Sequence, residues 1–144
     1  MLKMLKYVLC ILCIFYFFGP ISFDNKTLEV YKVEVLKIIQ DHCYPSQYYN
    51  PRKQFVYFKH LTDGVVGQCA LNPWYYKIEI DPTYWKHMSE DERFQVMAHE
   101  MTHCLLLLDH VDNRYNYMYY MMVDLPKKTV IDQLLVNLKY RCGR

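Results

Sequence analysis

The chain has 144 residues, 53% of them hydrophobic, and a formal net charge of +2 at pH 7. This length and apolar content are typical of one small domain with a single core, and no stretch has the composition of a linker, a repeat or a low-complexity segment. Lys3 and Lys6 account for the whole positive excess, so the remaining chain is neutral and a nucleic-acid partner is not indicated.

The N-terminal residues have the pattern of a targeting segment. Two lysines precede an apolar run from Tyr7 to Phe18, which predicts an export signal in residues 1–23. No convincing cleavage site follows, and the full segment is just long enough to anchor in a membrane. We therefore expect a signal peptide or an uncleaved signal anchor, a secreted or membrane-anchored protein, and one folded domain over residues 24–144.

Hydrophobic periodicity outlines an α+β scaffold. Apolar residues at helical spacing predict an N-terminal helix from Thr27 to Asp41 and a C-terminal helix that starts after Pro126. Between them, β-rich runs separated by turn residues predict three antiparallel or mixed strands. These strands are expected at Phe55 to Leu61, Val65 to Leu71 and Trp74 to Asp81.

A further helix is predicted to begin at Ser89. The run Ser89-Glu90-Asp91-Glu92 has the S-x-x-E form of a capping box, and neither Pro nor Gly follows until well past His110. Apolar residues recur along one side of this helix, whereas His99 and His103 project from the opposite side. The apolar set is Phe94, Met97, Met101, Cys104, Leu105 and Leu108.

The segment His99-Glu100-Met101-Thr102-His103 has the HExxH spacing of zinc hydrolases. Residues four apart lie one turn above each other on a helix, so the two imidazoles can bind one Zn²⁺ ion while Glu100 lies beside it. The motif therefore predicts two metal ligands and a general base.

A catalytic zinc ion usually has three protein ligands, and no Glu occurs after Glu100. His110 is the only downstream His, but in an unbroken helix it would stand about 10 Å from His103 along the axis. The helix must therefore end before His110 if this residue is a ligand, and a turn after Leu107 or Leu108 is expected. The other downstream candidates are Asp109, Asp112, Asp124 and Asp132.

The run HEMTHCLLLLDH resembles the metzincin metallopeptidases, whose signature is HExxHxxGxxH followed by a Met-containing turn. Leu106 stands where the signature has Gly, Asp109 stands at the third His, and His110 comes one residue later. Small bacterial and viral metallopeptidases with an HExxHC motif and a D-H pair are also similar to this stretch. The resemblance implies His110 as the third zinc ligand in preference to Asp109.

The segment from Asn116 to Tyr120 is similar to the Met-turn of metzincins. The resemblance implies that Met118 lies beneath the zinc and that Tyr120 stabilises an oxyanion; the alternative is an aromatic and Met-rich core segment. It also implies a minimal zincin domain that acts as a monomeric zinc endopeptidase on proteins or peptides. The strand from Trp74 to Asp81 is then a candidate edge for an extended substrate.

Four cysteines follow the targeting segment, and an even number in an exported chain favours two disulfides. Three pairings are possible, and we expect Cys69 with Cys104 and Cys43 with Cys142. Cys104 projects away from the motif histidines and is therefore a poor zinc ligand.

Two other functional classes fit the same sequence. A catalytically inactive zincin-like protein would bind zinc and a partner without hydrolysis, and a structural exported domain with a chance HExxH would bind no metal. His42, His60 and His87 have no ligand spacing to the motif and are expected to be surface or structural residues.

Overall fold

The computed structural model describes residues 26–43 and 53–143, which form an α+β fold with four helices and a three-stranded mixed sheet. The expected signal segment at residues 1–23 lies outside the described residues. The elements are α1 (Lys26–Cys43), β1 (Lys53–Phe58), β2 (Gly67–Leu71), β3 (Tyr75–Ile80), α2 (Pro82–Trp85), α3 (Glu90–Leu106) and α4 (Lys127–Cys142). The α+β class predicted from the sequence is confirmed.

The strand order in the sheet is β1-β3-β2, with β1 parallel and β2 antiparallel to β3. At the middle of β3, Ile78 is paired with Val56 on one side and with Cys69 on the other. The prediction that the third strand forms an edge for substrate is therefore wrong. Because β1 joins the side of β3 that the β2–β3 hairpin leaves open, both sides of β3 are paired and β2 lies at an edge.

The core lies between one face of the sheet and the three long helices. Alternate residues of β3, Tyr76, Ile78 and Ile80, are buried on this face. α3 packs against α1, α4 and β2, so the motif helix is the centre of the domain. The helices contribute fully buried side chains that include Leu28, Val35 and Ile39 from α1, Phe94, Met97 and Met101 from α3, and Val130, Leu134 and Leu138 from α4.

The predicted capping box at the start of α3 is confirmed. The Ser89 hydroxyl accepts a hydrogen bond from the Glu92 amide at 3.2 Å, and the Ser89 amide donates to the Glu92 carboxylate at 2.7 Å. The short helix α2 was not predicted because one turn has too little periodicity to detect. Its start is nevertheless regular, since Asp81 caps it through the Thr83 amide and Pro82 follows.

Two disulfides join distant parts of the domain, and both expected pairings are confirmed. Cys43–Cys142 joins the C-terminal ends of α1 and α4, while Cys69–Cys104 joins β2 to α3. Disulfides persist in oxidising compartments, so they indicate an extracytoplasmic protein. Among the helices of the described residues, none has both the length and the apolar content required to cross a bilayer.

Candidate metal centre

Three histidines from two parts of the chain meet at one point. His99 and His103 lie one turn apart on α3, and His110 lies in the segment that follows the helix. Their Nε2 atoms are 3.0 Å apart between His99 and His103, and 3.1 Å from each of these to that of His110. Three imidazoles in this arrangement could hold one metal ion.

The chain reverses direction directly after α3, before His110, as the separation of His103 and His110 along a continuous helix requires. α3 ends at Leu106, and Leu107 adopts the left-handed conformation with φ 53° and ψ 41°. This turn brings His110 back to the helix, whereas Asp109 is exposed at the rim of the cleft and lies outside the three-histidine group. The expected helix end before His110 is thus confirmed.

The position of the turn accounts for the spacing between His103 and His110, which is one residue longer than the spacing of the last two histidines in HExxHxxGxxH. In HExxHxxGxxH the Gly precedes the third His by three residues. Here the left-handed residue is Leu107, and it precedes His110 by the same three residues. Leu107 and His110 therefore each lie one residue later than the Gly and the last His of that pattern, and the number of residues between them is the same.

Hydrogen bonds determine which ring nitrogens are free. Nδ1 of His99 is 2.8 Å from the Tyr117 carbonyl oxygen, and Nδ1 of His103 is 2.6 Å from the Leu108 carbonyl oxygen. A carbonyl only accepts, so each Nδ1 must donate its hydrogen, and in neutral rings both Nε2 atoms carry lone pairs. Two lone pairs 3.0 Å apart repel each other, but ligands of a tetrahedral metal ion lie about 3.3 Å apart. The donor set therefore fits a cation.

His99 and His103 are held in the form that binds metal. Burial lowers the pKa of His99 to about 4, with further lowering by His103 and His110, while the hydrogen bond to the Tyr117 carbonyl acts in the opposite direction. Burial also lowers the pKa of His103. A neutral imidazole is the ligand form, so at neutral pH no proton has to leave either ring before a metal binds.

Glu100 borders the same cleft from the side of the sheet. Its side chain is buried, and burial raises the pKa of its carboxyl to about 8, although a hydrogen bond from the Cys69 amide acts to lower it. A carboxyl with a pKa near neutrality can take up and release a proton in the working pH range. Its place beside the histidines suits a general base.

A second set of contacts holds the loop that follows the motif helix. Gln133 of α4 accepts a hydrogen bond from the Tyr117 amide at 2.9 Å and donates to the Tyr115 carbonyl at 2.7 Å. The Tyr117 hydroxyl lies 3.0 Å from the Thr102 hydroxyl and accepts from Asn137 at 3.0 Å. α4 thereby fixes the carbonyl that orients His99. Sequence reasoning missed these amides, although two of them four residues apart on an otherwise apolar helix face were a usable signal.

The centre opens into a cleft of about 1020 Å³. One wall is β2 and the residues before it, and the other is the segment from Tyr119 to Met122. Tyr120 is on the rim with 61% of its surface exposed, and its ring contacts that of Tyr119. Met118 is buried, and its carbonyl accepts a hydrogen bond from the Val111 amide. The cleft is large enough for a peptide segment.

The remaining candidates stay apart from the three-histidine group. Asp112 and Asp124 are exposed, and Asp132 pairs with Lys128 on the surface of α4. His42 and His60 are also exposed, whereas His87 is exposed but borders the cleft. Cys104 is buried in its disulfide.

Comparisons of the chain with protein-family models, with curated proteins and with solved structures give no match.

Proposed function

We propose that this protein is an exported, metzincin-like zinc endopeptidase with His99, His103 and His110 as zinc ligands. The observation that carries the proposal is the convergence of three Nε2 atoms within 3.1 Å, two of them with lone pairs directed by carbonyl contacts, at an open cleft that also holds Glu100. Imidazole nitrogen is a preferred zinc donor, and three protein ligands leave one position open. Both features favour a catalytic over a closed structural site.

The residues divide the chemistry between them. When bound, zinc supplies Lewis-acid chemistry that activates water and polarises a peptide carbonyl. Glu100 takes the proton from the attacking water and delivers it to the leaving amine. Tyr120, at the exposed rim, is the candidate for stabilising negative charge on the carbonyl oxygen.

An extended peptide substrate has a suitable partner in β2. The Asp81 amide donates to the Val66 carbonyl and the Asn72 amide to the Tyr75 carbonyl, so even-numbered residues of this strand direct their backbone groups toward β3. The odd-numbered residues direct theirs to the other side, where no strand pairs within residues 26–43 and 53–143. A peptide pairing at this edge would lie along the cleft and add a strand to the sheet.

The substitution Glu100→Gln tests the proposal. We expect the variant to keep wild-type zinc content but to lose about 10²–10⁴-fold in kcat on a peptide library, because the amide cannot accept the proton. Full turnover by Glu100→Gln would refute the role of general base. Wild-type protein that binds zinc but cleaves no peptide would favour an inactive binding protein, and protein without metal would favour a structural domain.

A further inference from the structure

The side chain of Glu100 lies against β2. Its carboxylate accepts a hydrogen bond from the backbone amide of Cys69. A Cβ atom added at Gly67 would lie 3.1 Å from both Cγ and Oε1 of Glu100. The buried side chain of Glu100 therefore lies against Gly67 and Cys69, which are alternate residues of β2 and face the same side of the sheet.

The Cys69–Cys104 disulfide joins β2 to the next turn of α3 and so stabilises the contact between Glu100 and β2. Cys104 follows Glu100 by four residues, so the two side chains lie one turn apart on the same side of the helix. Cys104 is bonded to Cys69, whose amide binds the Glu100 carboxylate. One residue of β2 is thus attached to two successive turns of α3, covalently at one and by a hydrogen bond at the other.

The glycine at position 67 is explained by space and not by backbone conformation. Gly64 and Gly143 have positive φ values among the described residues, whereas Gly67 does not. Glycine weakens a strand, and inside one it often marks a close approach by another group. The groups that approach here are Glu100 and Cδ1 of Ile80, which would lie 3.0 Å from the added Cβ.

We propose that Gly67 and Cys69 are positioning residues for Glu100: the Cys69 amide holds the carboxylate beside the metal centre, and the missing side chain at Gly67 leaves the space that the carboxylate occupies. The inference rests on the proposed function, in which Glu100 is the general base. β2 then has two roles at one edge, since the Cys69 amide holds the base while the other odd-numbered backbone groups of the strand are left for substrate.

The first test is Gly67→Ala. The added methyl group lies 3.1 Å from Oε1 of Glu100 and therefore displaces the carboxylate. We expect kcat to fall by about 10–100-fold, because the base is no longer in position, while zinc content and KM stay near wild type. Because the methyl also meets Ile80, the double variant Gly67→Ala/Ile80→Val removes that second contact. We expect the double variant to keep the loss in kcat and Ile80→Val alone to have wild-type kcat. Recovery of kcat in the double variant, or normal kcat in Gly67→Ala, would overturn the proposal.

The second test needs no turnover and does not depend on how Gly67→Ala folds. Amide hydrogen exchange is measured by NMR in the wild-type protein and in Glu100→Ala. We expect exchange at Cys69 to accelerate about tenfold in the variant because its acceptor is gone, while the Leu71 amide on the same edge is unchanged. Equal exchange at Cys69 in both proteins would refute the hydrogen bond. If the wild-type protein proves inactive on peptides, this result still decides the contact.

Discussion

The two walls of the metal centre are built differently. α3 supplies His99, Glu100 and His103 from a regular helix with a capping box, a buried face and a disulfide. The segment from residue 107 to residue 125 has neither helix nor strand and supplies His110, together with the carbonyl groups that bind the Nδ1 atoms of the other two. The helix places its ligands by its period, whereas the loop places its ligand by hydrogen bonds to its neighbours.

This difference predicts different consequences of mutation. Substitution of a ligand on the helix removes one donor from a frame that stays in place, so it acts directly on metal binding. Substitutions that remove contacts of the loop weaken metal binding indirectly. They let His110 move, and they also let the carbonyl groups that orient His99 and His103 move. Substitutions at the ligands and at the contacts of the loop therefore distinguish the two walls.

The largest effects are expected at the ligands themselves. His103→Ala and His110→Ala should each weaken zinc binding by more than about 100-fold, the upper end of what loss of an outer contact produces. Asp109→Ala is the matched control, since Asp109 is adjacent to His110 but lies outside the cluster. Competition with a coloured chelator measures all three. Weaker binding in Asp109→Ala than in His110→Ala would reverse the assignment of the third ligand.

The buried carboxyl of Glu100, on the helix wall, makes the free energy of unfolding depend on pH. Burial raises the pKa of Glu100 from 4.5 to about 8, so in chelator-treated protein the folded state keeps a proton that the unfolded state has lost between these values. The free energy of unfolding therefore falls as pH rises through this window, by up to about 1.4 kcal/mol per pH unit. Burial lowers the pKa of His99 from 6.5 to about 4, which acts with the opposite sign below pH 6.5. The net fall is expected between pH 6.5 and 8.

Urea unfolding of chelator-treated protein at several pH values measures this effect. Glu100→Gln is the reference because its amide does not titrate. We expect its stability to be nearly constant between pH 6.5 and 8 while that of the wild type falls. Parallel curves in this range would show that the carboxyl titrates at the same pH in the folded and unfolded states.

The loop wall is tested at Gln133. Gln133→Ala removes the hydrogen bonds to Tyr117 and Tyr115 and should weaken zinc binding by about 10–100-fold, as expected for a contact that orients a ligand. Asp132→Asn is the control on the same helix, because Asp132 pairs with Lys128 at the surface of α4. Equal zinc affinity in Gln133→Ala and the control would mean that the loop holds His99 without help from α4.

The smallest effect is expected at the turn. Leucine in the left-handed conformation costs about 1 kcal/mol, so Leu107→Gly should raise the free energy of unfolding by up to about 1 kcal/mol and keep zinc binding. Leu107 is 55% exposed, so little packing is lost. Leu106→Gly, at the signature position, should instead lower stability by about 2–5 kcal/mol because Leu106 is buried in the helix. Thermal unfolding compares the two, and a stabilised Leu106→Gly would place the turn one residue earlier.

Much of the centre could be predicted because its determinants are local. The HExxH spacing, the capping box and the apolar face all belong to one helix, and the distance from His103 to His110 was enough to require a helix end. The even number of cysteines left three pairings open, and the expected one is the pairing present. The features that could not be predicted are contacts between segments far apart in the sequence. They are made by backbone and amide groups that occur throughout the chain. The central position of β3 and the Cys69 amide on Glu100 have no local pattern that marks them, and the spacing of Gln133 and Asn137 does not show which groups they bind.

X-ray absorption spectroscopy of the zinc-loaded protein tests the central claim most directly. We predict one zinc ion per chain with three imidazole nitrogens at about 2.0–2.1 Å, falling to two in His110→Ala and unchanged in Asp109→Ala. Absence of bound zinc, or a wild-type spectrum with only two imidazoles, would contradict the account.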